Sequence, residues 1–557
     1  MTTLLTDNLP LLAGAPNGIK KLRELILELA IRGKLVAQDP GDEPASELLK
    51  HIEAKKQRLV IEEGMRTTAR DDIPEDEHYL KLNAGWEYAR LGNLARFIDY
   101  RGRTPTKTQS GIPLITAKNV RMGFISREPQ EFIAEIDYPS WMTRGFPRLG
   151  DMLFTTEAPL GNISLIDISE QFALAQRVIC FQLHDLATGP FLQLAMMSST
   201  LQVQFLDVST GMTATGIKAS RLKEIPVPIP PLAEQHRIVA KVDELMALCD
   251  RLEAQQADAE SAHIQLVQAL LGSLTQVTDA ADFTANWQRL AEHFHTLFTT
   301  EPGIDALKQT LLQLAVMGKL VPQDPNDESV STILPNLDST KEASHLTKQD
   351  KQSHPFPLPS QWRWETLNKL LERGREISYG IIKLGIEPKQ GGIATLRCSD
   401  VKPGYIDLHS VRKVSQEIES EYTRTRLTGG EIVINIRGTL GGVAVVNAEL
   451  AGYNVAREVA VIPVSKQLSG HYMAIAMQSN YFWSAITAEL RGIAYKGLNL
   501  GSLRLFPIPI PPVQEQHRIV EKINQLTGIC DQLKSQIRLA SKLNEQLTNN
   551  LVKEALA

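Results

Sequence analysis

The stretch Ile225–Leu245, IPVPIPPLAEQHRIVAKVDEL, comes back at Phe506–Leu526 as FPIPIPPVQEQHRIVEKINQL. In both copies prolines alternate with Val or Ile and stop at a Pro-Pro pair, after which apolar residues recur every three or four positions. Alternating prolines favour extended backbone and the spacing that follows is helical, so each copy reads as an extended segment feeding a long helix. The repeat extends upstream: GIKKLRELILELAIRGKLVAQDPGDE from Gly18 returns from Gly303 as GIDALKQTLLQLAVMGKLVPQDPNDE. A fold written twice can present two copies of one surface about an approximate two-fold axis. Such a pair of surfaces calls for a two-part target.

Each copy runs in the same order: a helical arm, a variable region, the proline ladder, then a long helix. In the first arm Ile19, Leu22, Leu25, Ile26 and Leu29 fall at helical spacing, with Gly33 as the C-terminal stop, and Gly318 holds the matching place in the second. Along the long helices Ile238, Val242, Leu245, Cys249 and Leu252 follow alternating steps of four and three, as do Ile519, Ile523, Leu526, Cys530, Leu533 and Ile537. This predicts a coiled-coil seam in each copy, with Cys249 and Cys530 as small buried apolar residues and not as reactive thiols. A seam running from Ala233 to Leu271 makes a rod of roughly 60 Å, longer than one turn of DNA at roughly 34 Å. Two such helices packed antiparallel would act as a ruler. Residues 40–80 and 322–360, polar and rich in Ser, Lys, Asp and Pro, read as linkers with intermittent helix.

A chain of 557 residues exceeds what one core serves, and the repeat divides it in two. No apolar run is long enough to cross a bilayer. The first 17 residues lack the basic start of a secretory signal, and Cys180, Cys249, Cys398 and Cys530 are too dispersed for a disulfide framework or a zinc site. A cytoplasmic location is expected. The net charge of −5 argues against a nucleic-acid binder on average, but the average hides asymmetry. Between Arg96 and Arg127 lie seven basic residues, Arg96, Arg101, Arg103, Lys107, Lys118, Arg121 and Arg127, against one acid, Asp99. A basic surface in an acidic protein is a directed one.

The two variable regions share a skeleton. GIPLITAKNVRMGFI from Gly111 matches GIATLRCSDVKPGYI from Gly392 without a gap, and GDMLFTTEAPLGNISLI from Gly150 matches GEIVINIRGTLGGVAVV from Gly430. Runs at 152–155, 178–183, 432–436 and 459–464, separated by glycines, predict small mixed α/β domains. On this frame one copy carries Thr116, Lys118, Asn119 and Arg121 where the other carries Arg397, Ser399, Asp400 and Lys402. Arg and Lys suit guanine edges, Asn suits adenine and Asp accepts from cytosine, so the exchange is what two readers of different sequences would show; solvated turn residues are the competing reading. Arg375, Lys383 and Arg437 are further basic candidates in the second copy. The loops GMTATGIKASRL from Gly211 and GIAYKGLNLGSL from Gly492 add Lys218 and Lys496 as phosphate contacts, or serve as plain connectors.

A variable domain closing in PVPIPP or PIPIPP, followed by LAEQHRIV or VQEQHRIV opening a long helix, twice over, resembles the specificity subunit of type I restriction-modification systems. The resemblance covers nearly the whole chain. It implies an α+β molecule in which two small mixed α/β target recognition domains are joined by two long antiparallel coiled-coil helices with pseudo-two-fold symmetry. The corresponding division is an N-terminal helical arm at 1–80, a recognition domain at 81–231, a central long helix and second arm at 232–360, a second recognition domain at 361–512 and a C-terminal long helix at 513–557. It implies that each domain reads one half of a bipartite double-stranded DNA site and that the helices set the spacer. It further implies assembly with two modification subunits, which use S-adenosylmethionine to methylate adenine, and with restriction subunits that use ATP and Mg to translocate and cut. No cofactor or metal is expected in this chain.

A search for catalysis fits that division of labour. The sequence contains neither [ND]-P-P-[FYW] nor a phosphate-binding G-x-x-x-x-G-K-[ST], so no catalytic centre is expected. His236 beside Glu234, and His517 beside Glu515, look like acid/base pairs, but their place at a helix start predicts capping and packing. Two other classes compete with a DNA-recognition subunit. A pseudo-symmetric coiled-coil adaptor without DNA binding accounts for the repeat and leaves the basic stretch unexplained. A nuclease would draw on Asp151, Glu157 and Glu431, of which only Asp151 and Glu431 occupy matching places.

Overall fold

Alternate prolines leave alternate N–H groups, and the fold uses them. Pro226–Ile229 pairs antiparallel with Glu87–Arg90, placing Val227 opposite Ala89 and Ile229 opposite Glu87. Pro507–Ile510 pairs in the same way with Arg363–Thr366, Ile508 opposite Glu365. Each pair is a two-stranded ribbon, so the proline nitrogens can face away from the partner while the aliphatic residues between them donate to it. The ribbon clips the first residues of a globule to its last ones, immediately before the long helices Leu232–Gln276 and Val513–Leu556.

The computed structural model describes residues 9–63, 73–100, 104–210, 215–277, 280–332, 355–490 and 497–556. Its contacts form two units, Met1–Ala259 with Ala540–Ala557, and Glu260–Leu539. Each unit therefore contains one arm, one globule, the first part of its own long helix and the last part of the other copy's. At 1.5 Å per residue the two long helices, of 45 and 44 residues, measure about 68 and about 66 Å. Among the described residues no helix is long and apolar enough to cross a membrane.

The arms end as their glycines predict. The helix Gly18–Ile31 closes on Gly33 at φ 62°, with the Lys34 N–H on the Leu29 carbonyl at 3.0 Å. Gly318, at φ 69°, and the bond from Lys319 N–H to Leu314 repeat this at 3.0 Å. This is the double bond pattern that a left-handed residue makes possible at a helix end. Within residues 40–80, read as linker with intermittent helix, Ala45–Glu63 is one helix whose Ala45, Leu48, Leu49 and Ile52 are buried in the core of the first unit, and residues 64–72 lie outside the described residues. Its other faces are charged, which is why composition alone reads it as a linker. Of the second predicted linker, residues 333–354 lie outside the described residues.

Both globules are built on one plan. In the first, Ala95–Asp99, Val178–Leu183, Met152–Thr156 and Leu160–Leu165 form an antiparallel sheet in that order. In the second, Ser378–Tyr379, Val459–Ile462, Ile432–Asn435 and Val443–Val445 do the same. Side chains alternate across a strand. Met152 and Phe154 enter the core shared with the arm, while Leu153 enters a second core under a smaller sheet; Ile432 and Ile434 divide from Val433 in the same way. A sheet buried on both faces reads as a continuous apolar run, as these strands do.

The seam residues are each absorbed by the core of their own unit. Ile238, Val242, Leu245 and Cys249 are buried with the first arm, with Leu252 at the edge. Ile519, Ile523 and Cys530 are buried with the second arm, and Leu526, Leu533 and Ile537 lie at the edge. Polar bonds mark the same packing: Arg23 of the first arm reaches Asp250 and Glu253, and Lys308 of the second arm reaches Asp531.

Candidate nucleic-acid interface

The junction between globule and long helix is a scaffold built identically twice. Glu234 accepts the Trp86 indole N–H at 3.0 Å, and Glu515 accepts that of Trp362 at 2.9 Å. Gln235 and Gln516 donate back to the carbonyls of Pro230 and Pro511, both at 2.9 Å. Arg237 and Arg518 make bidentate pairs with Asp42 and Asp327 of the arm motif. Two stretches that repeat in the sequence are thus mutual partners in the fold. The acid/base pairs are not formed, because the glutamates turn inward while His236 and His517 are exposed. That exposure also corrects the expected packing role of the histidines.

Away from the junction, three loops meet on each globule. The first is the aligned turn. Asn119 Oδ1 accepts from the Thr116 N–H at 3.0 Å, and Asp400 Oδ2 accepts from the Arg397 N–H at 2.8 Å. Gly123 N–H to Ile163 and Gly404 N–H to Val443, both 2.8 Å, tie the turn to the sheet hairpin. The hairpin tip, the second loop, forms a bridge to the third: Glu157 opposite Gly216, and Arg437 opposite Gly497.

These bonds tie several of the candidate site residues into the fold. Asn119 is only 2% exposed, and its amide donates to the carbonyls of Ser126 and Pro129, so it shapes the turn and cannot reach a base. Thr116 Oγ1 is held by Asn119, while Arg397 and Ser399 are held by Asp400. Arg375 binds Glu372 and the buried Glu431, and Lys107 pairs with Glu131 at 2.7 Å. Part of the basic stretch is thereby answered locally, Arg127 by Glu170 included. Asp151 and Glu431, the matched acids of the nuclease reading, cap backbone turns: Asp151 accepts from the N–H groups of Arg148 and Leu183, Glu431 from those of Thr428 and Gly429.

What remains outward is a smaller set. Lys118 and Arg121 are exposed on the first turn and make no side-chain bond among the described residues. Lys402 is half-buried on the second turn, and Lys218, Lys383 and Arg437 are exposed. Arg101, Arg103 and Lys496 lie outside the described residues. Two positions that charge-based reading passes over stand beside the basic ones: Phe124 is 59% exposed and Tyr405 is 60% exposed, at the same place in the aligned turns. The gapless alignment, MGFI against PGYI, carried that signal. Exposed aromatic rings beside the basic residues of the turns, Phe124 near Arg121 and Tyr405 near Lys402, suit base contact.

The model of the Type I restriction modification DNA specificity domain matches residues 83–260 and 388–540. The EcoAI specificity subunit of Escherichia coli is 32% identical over 97% of this chain and 94% of its own length. The EcoEI specificity subunit, also of Escherichia coli, is 31% identical over 97% and 94%. A chain from a study of complex assembly and conformational transition of the type I R-M system aligns over 86% of this chain and 98% of its own, at 17% identity and a TM-score of 0.49. With two family domains placed on the two repeated globules and full-length relatives on either count, this chain belongs to the specificity subunits of type I restriction-modification systems.

Proposed function

We propose that this chain selects a bipartite DNA sequence, one globule per half-site, and holds the methyltransferase and restriction subunits that act on it. The observation that carries the reading is the three-loop surface, framed by the same backbone bonds in both units and decorated differently. An identical frame sets where a side chain stands, and a different side chain sets what it accepts. The exposed cations Lys118, Arg121, Lys218 and Lys383, with the half-buried Lys402, supply phosphate or guanine contacts, and Phe124 and Tyr405 supply apolar ones. Chemistry on the DNA, with its S-adenosylmethionine, ATP and Mg, belongs to the partner subunits in this reading.

A genome-wide adenine methylation map of cells with this gene intact and deleted tests it. Loss of one asymmetric two-part motif on deletion is the expected result. An unchanged map, with the gene and a neighbouring methyltransferase both active, would favour a protein adaptor.

A further inference from the structure

We infer that Glu157 and Arg437 are equivalent, specificity-determining positions, each reading one base in its half-site; the inference rests on the DNA-recognition reading above. The gapless alignment of the two globules already sets Glu157 against Arg437, residues of opposite charge. In the fold they occupy one place. Each forms the same bridge to the loop before the proline ladder, Glu157 to Gly216 and Arg437 to Gly497. Neighbouring bonds match as well: Ile217 N–H meets the Thr156 carbonyl at 3.0 Å, and Leu498 N–H meets that of Ile436 at 2.8 Å.

The glycines explain how the side chains are presented. A β-carbon on Gly216 would stand 3.3 Å from Glu157 Oε2, and one on Gly497 would stand 3.4 Å from Arg437 Cγ. Each side chain therefore lies across a glycine α-carbon, over a surface with no side chain of its own. Glu157 keeps 36% of its side chain exposed, and Arg437 is exposed.

The charges are exchanged across a second matched position. Thr156 N–H bonds the Arg177 carbonyl at 3.0 Å, and Ile436 N–H bonds the Glu458 carbonyl at 2.9 Å, so Arg177 and Glu458 correspond. One globule thus sets Glu157 beside Arg177, with Oε1 to Nε at 2.7 Å; the other places Arg437 where the first has the glutamate, and Glu458 where it has the arginine. Opposite charges at one framed position suit two readers of different bases, because a carboxylate accepts from the cytosine amino group and a guanidinium donates to guanine O6 and N7. Glu157 is accordingly assigned a cytosine, and Arg437 a guanine.

The test is the methylation motif written by the full complex carrying Glu157→Gln, and separately Arg437→Gln, beside the parent. Each variant is expected to lose preference at a single base position of a single half-site, by about 5- to 150-fold, with the other half-site unchanged. An unaltered motif in both variants would overturn the assignment. Relaxation of both half-sites, or loss of all methylation by a variant while the parent is active, would overturn it too, because the position would then support the fold. A parent that writes no two-part motif would instead sink the DNA-recognition reading itself.

Discussion

At the scale of single residues, the repeated glutamates carry a pH signature. Burial raises the carboxyl pKa of Glu234 and Glu515 above the ordinary value of 4.5, against the opposing pull of the Trp86 and Trp362 indoles. A raised folded value contributes stability that is fully present below the unfolded value and lost as pH rises through the folded one. Glu234→Gln and Glu515→Gln keep an acceptor for the indole and cannot ionise. Each should gain stability relative to the parent as pH rises above the ordinary value of 4.5 in urea denaturation; a flat difference would refute the assignment. The aligned turn separates two further roles. Lys118→Ala with Arg121→Ala should reduce the salt slope of DNA binding by about 1 to 2 and leave the melting temperature in place. Asn119→Ala should do the reverse, costing about 1–3 kcal/mol of stability because its buried partners lose their bonds. A change in salt slope for Asn119→Ala alone would contradict the geometry.

At the scale of elements, the proline ladder makes an unusual strand whose tolerance alternates. Val227 stands opposite Ala89 in the ribbon, and Pro228 stands opposite Tyr88. Val227→Pro removes a donor facing the partner and should cost about 1–3 kcal/mol, the cost of a buried carbonyl left without its partner. Pro228→Ala restores a donor that faces away and should cost under about 1 kcal/mol. Denaturation midpoints of the two variants check the order, and equal losses would show that the ribbon is not held by these bonds. The ladder also illustrates how the element level was legible. Alternating prolines announced extended backbone, but its partner, Glu87–Arg90, lies far upstream and has no sequence mark of its own. The helix Ala45–Glu63 was obscured for a related reason: its apolar face, Leu48, Leu49 and Ile52, is narrow, and lysines and glutamates dominate its composition.

At the scale of the whole molecule, each unit borrows the end of the other copy's long helix. Ala555 is buried in the first unit's core, with Leu551, Val552 and Leu556 packed against it. Glu545 stands 3.5 Å from Lys21, and Lys34 donates to the Leu556 carbonyl at 3.1 Å. Deleting residues 540–557 should therefore loosen a region far away in sequence. Hydrogen exchange is expected to accelerate in the arm Gly18–Ile31 and to stay unchanged in Glu301–Val316, and uniform acceleration would refute the division into units. The apolar spacing of four and three that reads as a seam is used in these cores, where the long helices lie against the arms.

Local physical rules were enough for the sequence to determine the arms with their glycine stops, the long helices and the principal strands, while the duplication and the family were legible in the repeated motifs and the resemblance they carry. Periodicity, capping and proline geometry act over a few residues and leave their mark in the chain. Only the tertiary structure decided which polar side chains are tied into the fold by buried partners. Asn119, Arg397 and Arg375 have the right chemistry for bases or phosphates but are tied to the turn, the two arginines by the buried Asp400 and Glu431, whereas Glu157 shares an exposed pair with Arg177. The alignment pairs Glu157 with Arg437, and the structure adds the glycine that each lies against, Gly216 and Gly497. Hydrogen bonding depends on who arrives at a distance of about 3 Å, and that is set by packing between segments far apart in the chain.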